Sequence, residues 1–200
     1  MPIVILRGTG TQLVSPGGKA TIAYDPATGE ELWKVRYDGW SIAPRPIFGH
    51  GLVFAIVDHE HPELWAIRPD GQGDVTNTHV VWKVTKGMPS RPSPLLVGEH
   101  LFLVSSDGIA SCIEAKTGET VWKNRVAGKY SASPLSVGDR IYLFNENAVT
   151  TVIKASNQFV ILASNALMNE QLMASPAAIG RSLFIRTEKH LYRIDGSAAR

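Results

Sequence analysis

Two stretches of the sequence share one pattern, and this pattern decides the fold. Residues 23–33 read AYDPATGEELW, and residues 112–122 read CIEAKTGETVW. In both, an acidic residue stands two positions after a small one, Thr-Gly follows, and a tryptophan closes the stretch. Ala66 and Trp82 bracket a longer version, sixteen residues apart against ten in the other two. A pattern that recurs at long intervals indicates a chain built from repeats.

Four prolines give the period of the repeat: Pro46, Pro94, Pro134 and Pro176 are spaced by 48, 40 and 42 residues. Each precedes a short run of aliphatic and aromatic residues. Apolar and polar positions alternate throughout, and Gly, Asp and Asn interrupt the pattern every few residues, which is typical of short strands. Short strands in a repeat of about 40 residues predict the four-stranded antiparallel blades of a β-propeller. A β-sandwich, the competing all-β fold, leaves the recurring motif unexplained.

We therefore predict an all-β chain, a β-propeller of four blades plus three strands of a fifth. The approximate blades, within a single domain over residues 1–200, are residues 2–37, 42–84, 92–126, 132–164 and 173–195. The fifth blade lacks its outermost strand, and the N-terminal strand already serves as the innermost strand of the first. We expect an incomplete ring, completed by upstream blades of the same polypeptide. Its unpaired edges would favour self-association.

The repeated pattern resembles the tryptophan-docking motif, A-x-D-x-x-T-G-x-x-x-W, of bacterial pyrroloquinoline quinone (PQQ)-like propeller repeat proteins. Residues 23–33 fit it without a mismatch. The resemblance implies that acidic and threonine side chains bond the turn, that glycine adopts a positive φ, and that the tryptophan covers the joint between blades. In the fourth repeat Leu162 or Ser164 takes the place of the tryptophan. The residues with this structural role are Asp25, Gly29, Trp33, Trp82, Gly118 and Trp122, and we predict that the three tryptophans are buried.

The same resemblance leads to a second hypothesis, a quinoprotein oxidoreductase. Those enzymes stack PQQ on a central tryptophan, often over a vicinal disulfide, and hold Ca²⁺ with Glu, Asn and Asp side chains. This chain has one cysteine, Cys112, and no evident calcium ligand set, so we expect neither PQQ nor calcium. No nucleophile elbow or phosphate-binding glycine loop is evident, and the sequence gives no evidence for catalysis.

Two acidic segments are candidates for metal binding. Asp58, His59, Glu60 and His61 lie together in a predicted loop, but a site needs three or four convergent ligands, and no distant partner is evident. A solvated loop is the better interpretation, and we predict no metal there. Residues 70–74, within the lengthened repeat, lack the spacing of an EF-hand and are expected to form a long hairpin turn.

One face of the predicted propeller is a candidate binding surface. Loops between blades lie on the same face as turns between the second and third strands of each blade. This arrangement groups Trp40, Lys86, Arg91, Lys129 and Tyr130. We predict that Trp40 is exposed, and the alternative, that it packs over the blade junction, stays open at this point. An exposed aromatic residue near Arg and Lys is typical of an interaction hot spot.

The leading hypothesis is a non-catalytic scaffold that binds a protein or peptide partner through this face. The alternatives are a quinoprotein oxidoreductase or its degenerate remnant, and a sensory domain of a larger signalling protein. The net charge of only +2, with Lys and Arg scattered, argues against nucleic acid. No apolar run approaches the roughly 18 residues of a spanning helix. No signal peptide is evident, and the resemblance alone implies export to the periplasm.

Overall fold

The computed structural model describes residues 1–7, 10–167 and 170–196, and this part of the chain contains strands and no helix. The all-β prediction is therefore confirmed. The first blade contains β1 (Ile3–Arg7), β2 (Gly10–Pro16), β3 (Ala20–Tyr24) and β4 (Glu31–Arg36), and the second contains β5 (Ile47–Gly49), β6 (Leu52–Val57), β7 (Glu63–Ile67) and β9 (Val80–Val84), with the short strand β8 (Gly73–Asp74) between β7 and β9 in the sequence. The third blade contains β10 (Leu95–Val97), β11 (His100–Val104), β12 (Ile109–Glu114) and β13 (Thr120–Arg125), and the fourth contains β14 (Leu135–Val137), β15 (Arg140–Phe144), β16 (Val149–Lys154) and β17 (Ile161–Ala166). The fifth contains β18 (Ala177–Ile179), β19 (Ser182–Arg186) and β20 (Leu191–Asp195).

Apart from β8, the strands of each blade form an antiparallel sheet and pair in chain order. The fifth sheet has three strands, and the five sheets form no closed ring in the described ranges, so the incomplete propeller is confirmed. A β-bulge recurs at the same place between the third and fourth strands of the first four blades. The register opposite the bulge places Ala163 where the other blades have tryptophan. The assignment of Leu162 or Ser164 to that position was wrong by one residue.

The core consists of four apolar layers, one in each joint between neighbouring blades. In the layer between blades two and three, the tryptophan of one blade packs on the Thr-Gly turn of the next. Trp82 donates its indole N–H to the carbonyl of Ala115 in the next blade, at 3.2 Å. A Cβ built on Gly118 would lie 2.7 Å from Trp82 Cδ2, so the ring packs directly on that glycine. Trp122 similarly donates to the carbonyl of Ser156, at 3.1 Å.

The docking turn has the local hydrogen bonds that the motif predicts. Asp25 Oδ1 accepts the backbone N–H of Ala27 at 2.7 Å, and Thr28 Oγ1 accepts that of Glu30 at 3.2 Å. Gly29 has a φ of 76°, in the left-handed region that glycine enters without steric cost.

The three docking tryptophans are not equally buried. Trp33 is fully buried, as predicted, whereas Trp82 and Trp122 are only partly buried. The reason is β8, which lies in the lengthened repeat of blade two and pairs in parallel with β4, placing Gly73 beside Trp33. Residues 70–74 do lie in the long hairpin connection between β7 and β9, as predicted, but the sequence did not reveal that Gly73 and Asp74 add a fifth strand to blade one.

Polar contacts hold β8 against blade one. Arg36 Nε donates to Asp74 Oδ2 at 2.8 Å, and the backbone N–H of Arg36 donates to Thr76 Oγ1 at 2.9 Å. Hydrogen bonds from Thr76, followed by that from Arg36, lower the pKa of Asp74 to about 2. The indole N–H of Trp33 reaches blade two through a relay, since it donates to Gln12 Oε1 while Gln12 Nε2 donates to the carbonyl of Pro69.

A ladder of serine hydroxyls links the innermost parts of the blades. The backbone N–H of Arg45 donates to Ser93 Oγ, that of Ser93 to Ser133 Oγ, and that of Ser133 to Ser175 Oγ, each at 2.9–3.0 Å. Arg45, Ser93, Ser133 and Ser175 each directly precede one of the aligned prolines. The serine recurring before the proline was therefore a sequence signal that alignment on the prolines could have shown.

Candidate protein-binding face

The loops between blades are hydrogen-bonded to the turns between second and third strands, which places both sets on one face. In the loop between blades three and four, the N–H of Tyr130 donates to the carbonyl of Ser106, and the carbonyl of Lys129 accepts the N–H of Glu146. Ser106 and Glu146 lie in the corresponding turns of blades three and four. We call this surface, from Tyr37 at blade one to Glu146 at blade four, the loop face.

Trp40 is the exposed aromatic residue of the loop face, with 53% of its surface accessible. Its ring lies edge-on against the ring of His59, with centroids 5.7 Å apart. The preceding residue, Gly39, packs so closely on Asp58 that an added Cβ would be 3.0 Å from Asp58 Cα. The Trp40 side chain is therefore exposed, as predicted, and the backbone that precedes it packs against the turn containing Asp58.

Asp58 organises this part of the face. Its Oδ1 accepts the N–H of His59 at 2.6 Å, and its Oδ2 accepts that of His61 at 3.1 Å. Burial raises the pKa of the Asp58 carboxyl, but bonds from the backbone of His59, His61, Glu60 and Trp40 together outweigh it and hold the pKa below its usual value. The carboxylate thus joins the Trp40 loop to the turn that follows β6.

A groove of about 450 Å³ lies on the loop face between blades two and three. Its walls include the turn at residues 59–62, the loop at residues 85–90 and the turn at residues 105–107. Arg125 also lines it and donates from Nη1 to the carbonyl of Asp107 at 3.1 Å. The sequence analysis did not identify Arg125 as part of this face, because Arg125 lies on the outermost strand β13, where no motif marks it.

The three predicted basic residues are all exposed on the loop face, and one of them also contacts the neighbouring blade. Lys86, Arg91 and Lys129 are exposed. Arg91 Nη1 donates to Ser131 Oγ at 3.3 Å and lies 3.7 Å from Glu146 Oε1. Arg91 thus connects the loop between blades two and three to the loop between blades three and four.

Tyr130 does not belong to the exposed surface. It is fully buried in the layer between blades three and four. Its hydroxyl donates to the carbonyl of Ala127 at 3.0 Å, and burial raises its pKa. The assignment of Tyr130 to the binding surface is corrected, because its ring packs inward while only its backbone contributes to the loop.

The sequence as a whole matches one protein family. The family described as outer membrane protein assembly factor BamB matches residues 3–197. The chain belongs to this family. A comparison with curated proteins gives no significant match.

Solved structures show the same fold as this BamB-family chain. BamB from Moraxella catarrhalis is 12% identical, with a TM-score of 0.74, over 96% of this chain and 57% of that protein. The β-propeller domain of Cps50 (Swd1) from Myceliophteria thermophila is 14% identical, with a TM-score of 0.63, over 92% of this chain and 66% of that domain. The chain therefore spans a little over half the length of the BamB structure.

The described part of this BamB-family chain does not bring the metal candidates together with further ligands, and that no metal binds there stays a prediction. Within residues 1–7, 10–167 and 170–196, no group of three or more His, Cys, Asp or Glu side chains could hold a metal ion. Asp58 instead accepts hydrogen bonds from its own loop, and His59 contacts Trp40. The same part of the chain has no helix able to cross a membrane. That PQQ and calcium do not bind stays a prediction.

Proposed function

We propose that this chain is a non-catalytic scaffold that binds a protein or peptide partner through the loop face. We further propose that the protein is exported and takes part in outer membrane protein assembly, and membership of the family described as outer membrane protein assembly factor BamB supports this. The family match does not favour the oxidoreductase alternative. The sensory-domain alternative stays a hypothesis with no observation in its favour.

The observation that carries the proposal is the half-exposed Trp40. Tryptophan and arginine supply much of the binding energy of protein interfaces. An aromatic ring already held in place costs little conformational entropy when a partner binds. Trp40 meets this condition, because Asp58 fixes its loop and His59 supports its ring.

The surroundings of Trp40 have the mixed polarity of an interface. The groove between blades two and three starts at His59, which contacts Trp40, and Lys86 and Arg91 extend the face toward blade three. An apolar anchor surrounded by a polar, hydrated rim is the usual composition of a transient interface.

Replacing Trp40 by alanine in the full-length protein is expected to reduce the amount of co-purified partner at least tenfold, since loss of a hot-spot tryptophan costs about 2 kcal/mol or more. Quantitative affinity purification from the source cells measures this. Leu162→Ala is the matched control, because Leu162 is similarly exposed on the outer strand β17, away from the loop face. Retention of partner by Trp40→Ala at the level of the control would contradict the proposal.

We also propose that further blades of the same polypeptide cover the two open ends of the arc. Val4 and Leu6 are exposed on β1, and Ile179 and Leu191 are exposed on blade five. The docking turn of blade one is also uncovered at its glycine, since a Cβ on Gly29 would meet nothing within 4 Å. The equivalent Gly118 of blade three is covered by Trp82. Apolar surfaces of this kind ordinarily face a neighbour.

The 200-residue chain on its own is expected to scatter X-rays as an open arc whose apparent mass grows with concentration, because its unpaired strand edges and uncovered faces seek partners. Small-angle scattering with in-line light scattering measures shape and mass together. A compact, closed monomer that stays soluble at high concentration would refute this expectation.

A further inference from the structure

The joint between blades four and five is closed differently from the other three joints. In the first three blades, the docking tryptophan pairs across the sheet with a small residue of the third strand. These pairs are Trp33 with Ala23, Trp82 with Ala66 and Trp122 with Cys112. In blade four the pair is Ala163 with Val152. Val152 is buried and replaces part of the volume, but it is much smaller than an indole, so this joint is short of side-chain volume.

The loss of the indole leaves an aromatic ring of blade four uncovered. In blade two, Phe54 lies in register with Trp82 and is fully buried, and the centroids of the two rings are 5.7 Å apart. Phe102 and Trp122 form the same pair in blade three, with centroids 6.0 Å apart. Tyr142 takes this position in blade four and is only partly buried. Blade four thus keeps the ring but lacks the indole that packs against it.

The opposite wall of the joint is uncovered as well. Ile113 of blade three, in the joint that Trp82 closes, is fully buried. Ile194 has the equivalent position in blade five, opposite Leu183 in the sheet, and 44% of its surface is exposed. Leu183 is only partly buried, whereas its counterpart Leu101 is fully buried. Apolar side chains therefore face each other across a space that no described side chain fills.

Three adjoining cavities occupy this space, and we call them together the joint cleft. Two of them, of about 300 and 370 Å³, share the lining residues Tyr142, Leu183 and Ile194. The third, of about 440 Å³, has Ala163 in its wall and is also lined by Tyr142. A dry apolar cavity of about 150 Å³, made by truncating a buried side chain, already admits benzene. The joint cleft is therefore large enough for a small aromatic molecule.

We propose that the joint cleft is a binding site for a small planar aromatic molecule of one or two fused rings, about the size of an indole. The ligand occupies the place that the docking tryptophan fills in the other joints. Its ring packs against Tyr142, and Leu183 and Ile194 cover its other face. Contact between aromatic rings contributes beyond the area that it buries, which favours a ring over an aliphatic molecule of the same size. This site is separate from the loop-face anchor Trp40, so the inference goes beyond the proposed function.

Binding of indole to the full chain tests the proposal. Nuclear magnetic resonance of the isoleucine methyl groups follows Ile194, assigned by its loss in Ile194→Val, and the equivalent Ile113 of blade three is the internal control. We expect a saturable shift of the Ile194 signal and none of the Ile113 signal. The dissociation constant should be roughly 0.1–1 mM, the range for a ligand of this size.

Two further probes distinguish the class of ligand. Cyclohexanol, a ring without π electrons, should bind at least fivefold more weakly than indole. N-acetyl-tryptophanamide carries the same indole on a peptide unit, and it should also bind at least fivefold more weakly, because its amide groups would lose hydrogen bonds to water on entering the cleft. If it binds as tightly as indole, the ligand is a side chain of a polypeptide and the proposal is overturned.

Two variants test the position of the site. Tyr142→Leu should bind indole at least fivefold more weakly, whereas Tyr24→Leu, at a partly buried tyrosine of blade one, should bind it normally. The double variant Val152→Ala with Ala163→Trp gives blade four the pair of side chains that blade two has. Its own indole should fill the cleft and reduce the binding of free indole at least tenfold.

The proposal is also overturned if indole leaves the Ile194 signal unchanged, if cyclohexanol binds as tightly as indole, or if Tyr142→Leu binds indole as tightly as Tyr24→Leu. The Tyr142 variant provides the test even if the double variant does not fold. Because no partner takes part in these measurements, their outcome is independent of the Trp40 experiment.

Discussion

Replacing Trp33 by alanine is expected to lower the free energy of unfolding by about 3–5 kcal/mol, the usual cost of truncating a large buried aromatic residue. Trp33 is fully buried between blade one and blade two, and β8 closes over it. Denaturant titration followed by circular dichroism measures the change.

Trp40→Ala is the matched control for Trp33→Ala, because it removes the same side chain from an exposed position and should change stability by no more than about 0.5 kcal/mol. Trp82→Ala should fall between the two, since Trp82 is partly buried. If Trp33→Ala has the same midpoint as Trp40→Ala, the assignment of the docking joint is wrong.

Gly118→Ala should destabilise the protein considerably more than Gly29→Ala, although the two glycines have nearly the same backbone. Their φ angles are 77° and 76°. Alanine in this region costs about 1–2 kcal/mol at either position. Only at Gly118 does the new methyl group also collide with Trp82, and such overpacking adds roughly 1–3 kcal/mol.

A double-mutant cycle isolates the docking contact. In a Trp82→Ala background the collision is absent, and Gly118→Ala should then cost no more than Gly29→Ala. The midpoints of the four variants in denaturant provide the measurement. An equal cost of Gly118→Ala with and without Trp82 would show that the ring does not pack on the glycine.

The blades and the docking tryptophans could be predicted because each repeat carries the same local signals. A proline, a short apolar run and a Thr-Gly turn recur at a period that suits four strands, and local hydrogen bonds such as those of Asp25 follow from residue type. The shared face of loops and turns followed from the topology of a blade. Periodic sequence thus determines the features that depend on contacts within one repeat or between equivalent positions of neighbours.

The features that could not be predicted depend on contacts without a repeat pattern. The pairing of β8 with β4 joins an insertion to a strand of another blade, and its register depends on side chains such as Arg36 and Asp74. The inward rotation of Tyr130 depends on the space between blades three and four. A cavity of about 290 Å³ between blades one and two likewise forms only when the two blades dock, since Tyr37 and Glu63 in its wall belong to different repeats.

Site-specific photo-crosslinking in the source cells tests the central claim, that a partner binds the loop face, most directly. A photoreactive amino acid is placed at position 40 or 129, on the loop face, and at position 121 or 162, on exposed outer strands. We predict a discrete adduct with the same protein from positions 40 and 129 and none from positions 121 and 162. Adducts confined to the outer-strand positions, or none from the loop face, would contradict it.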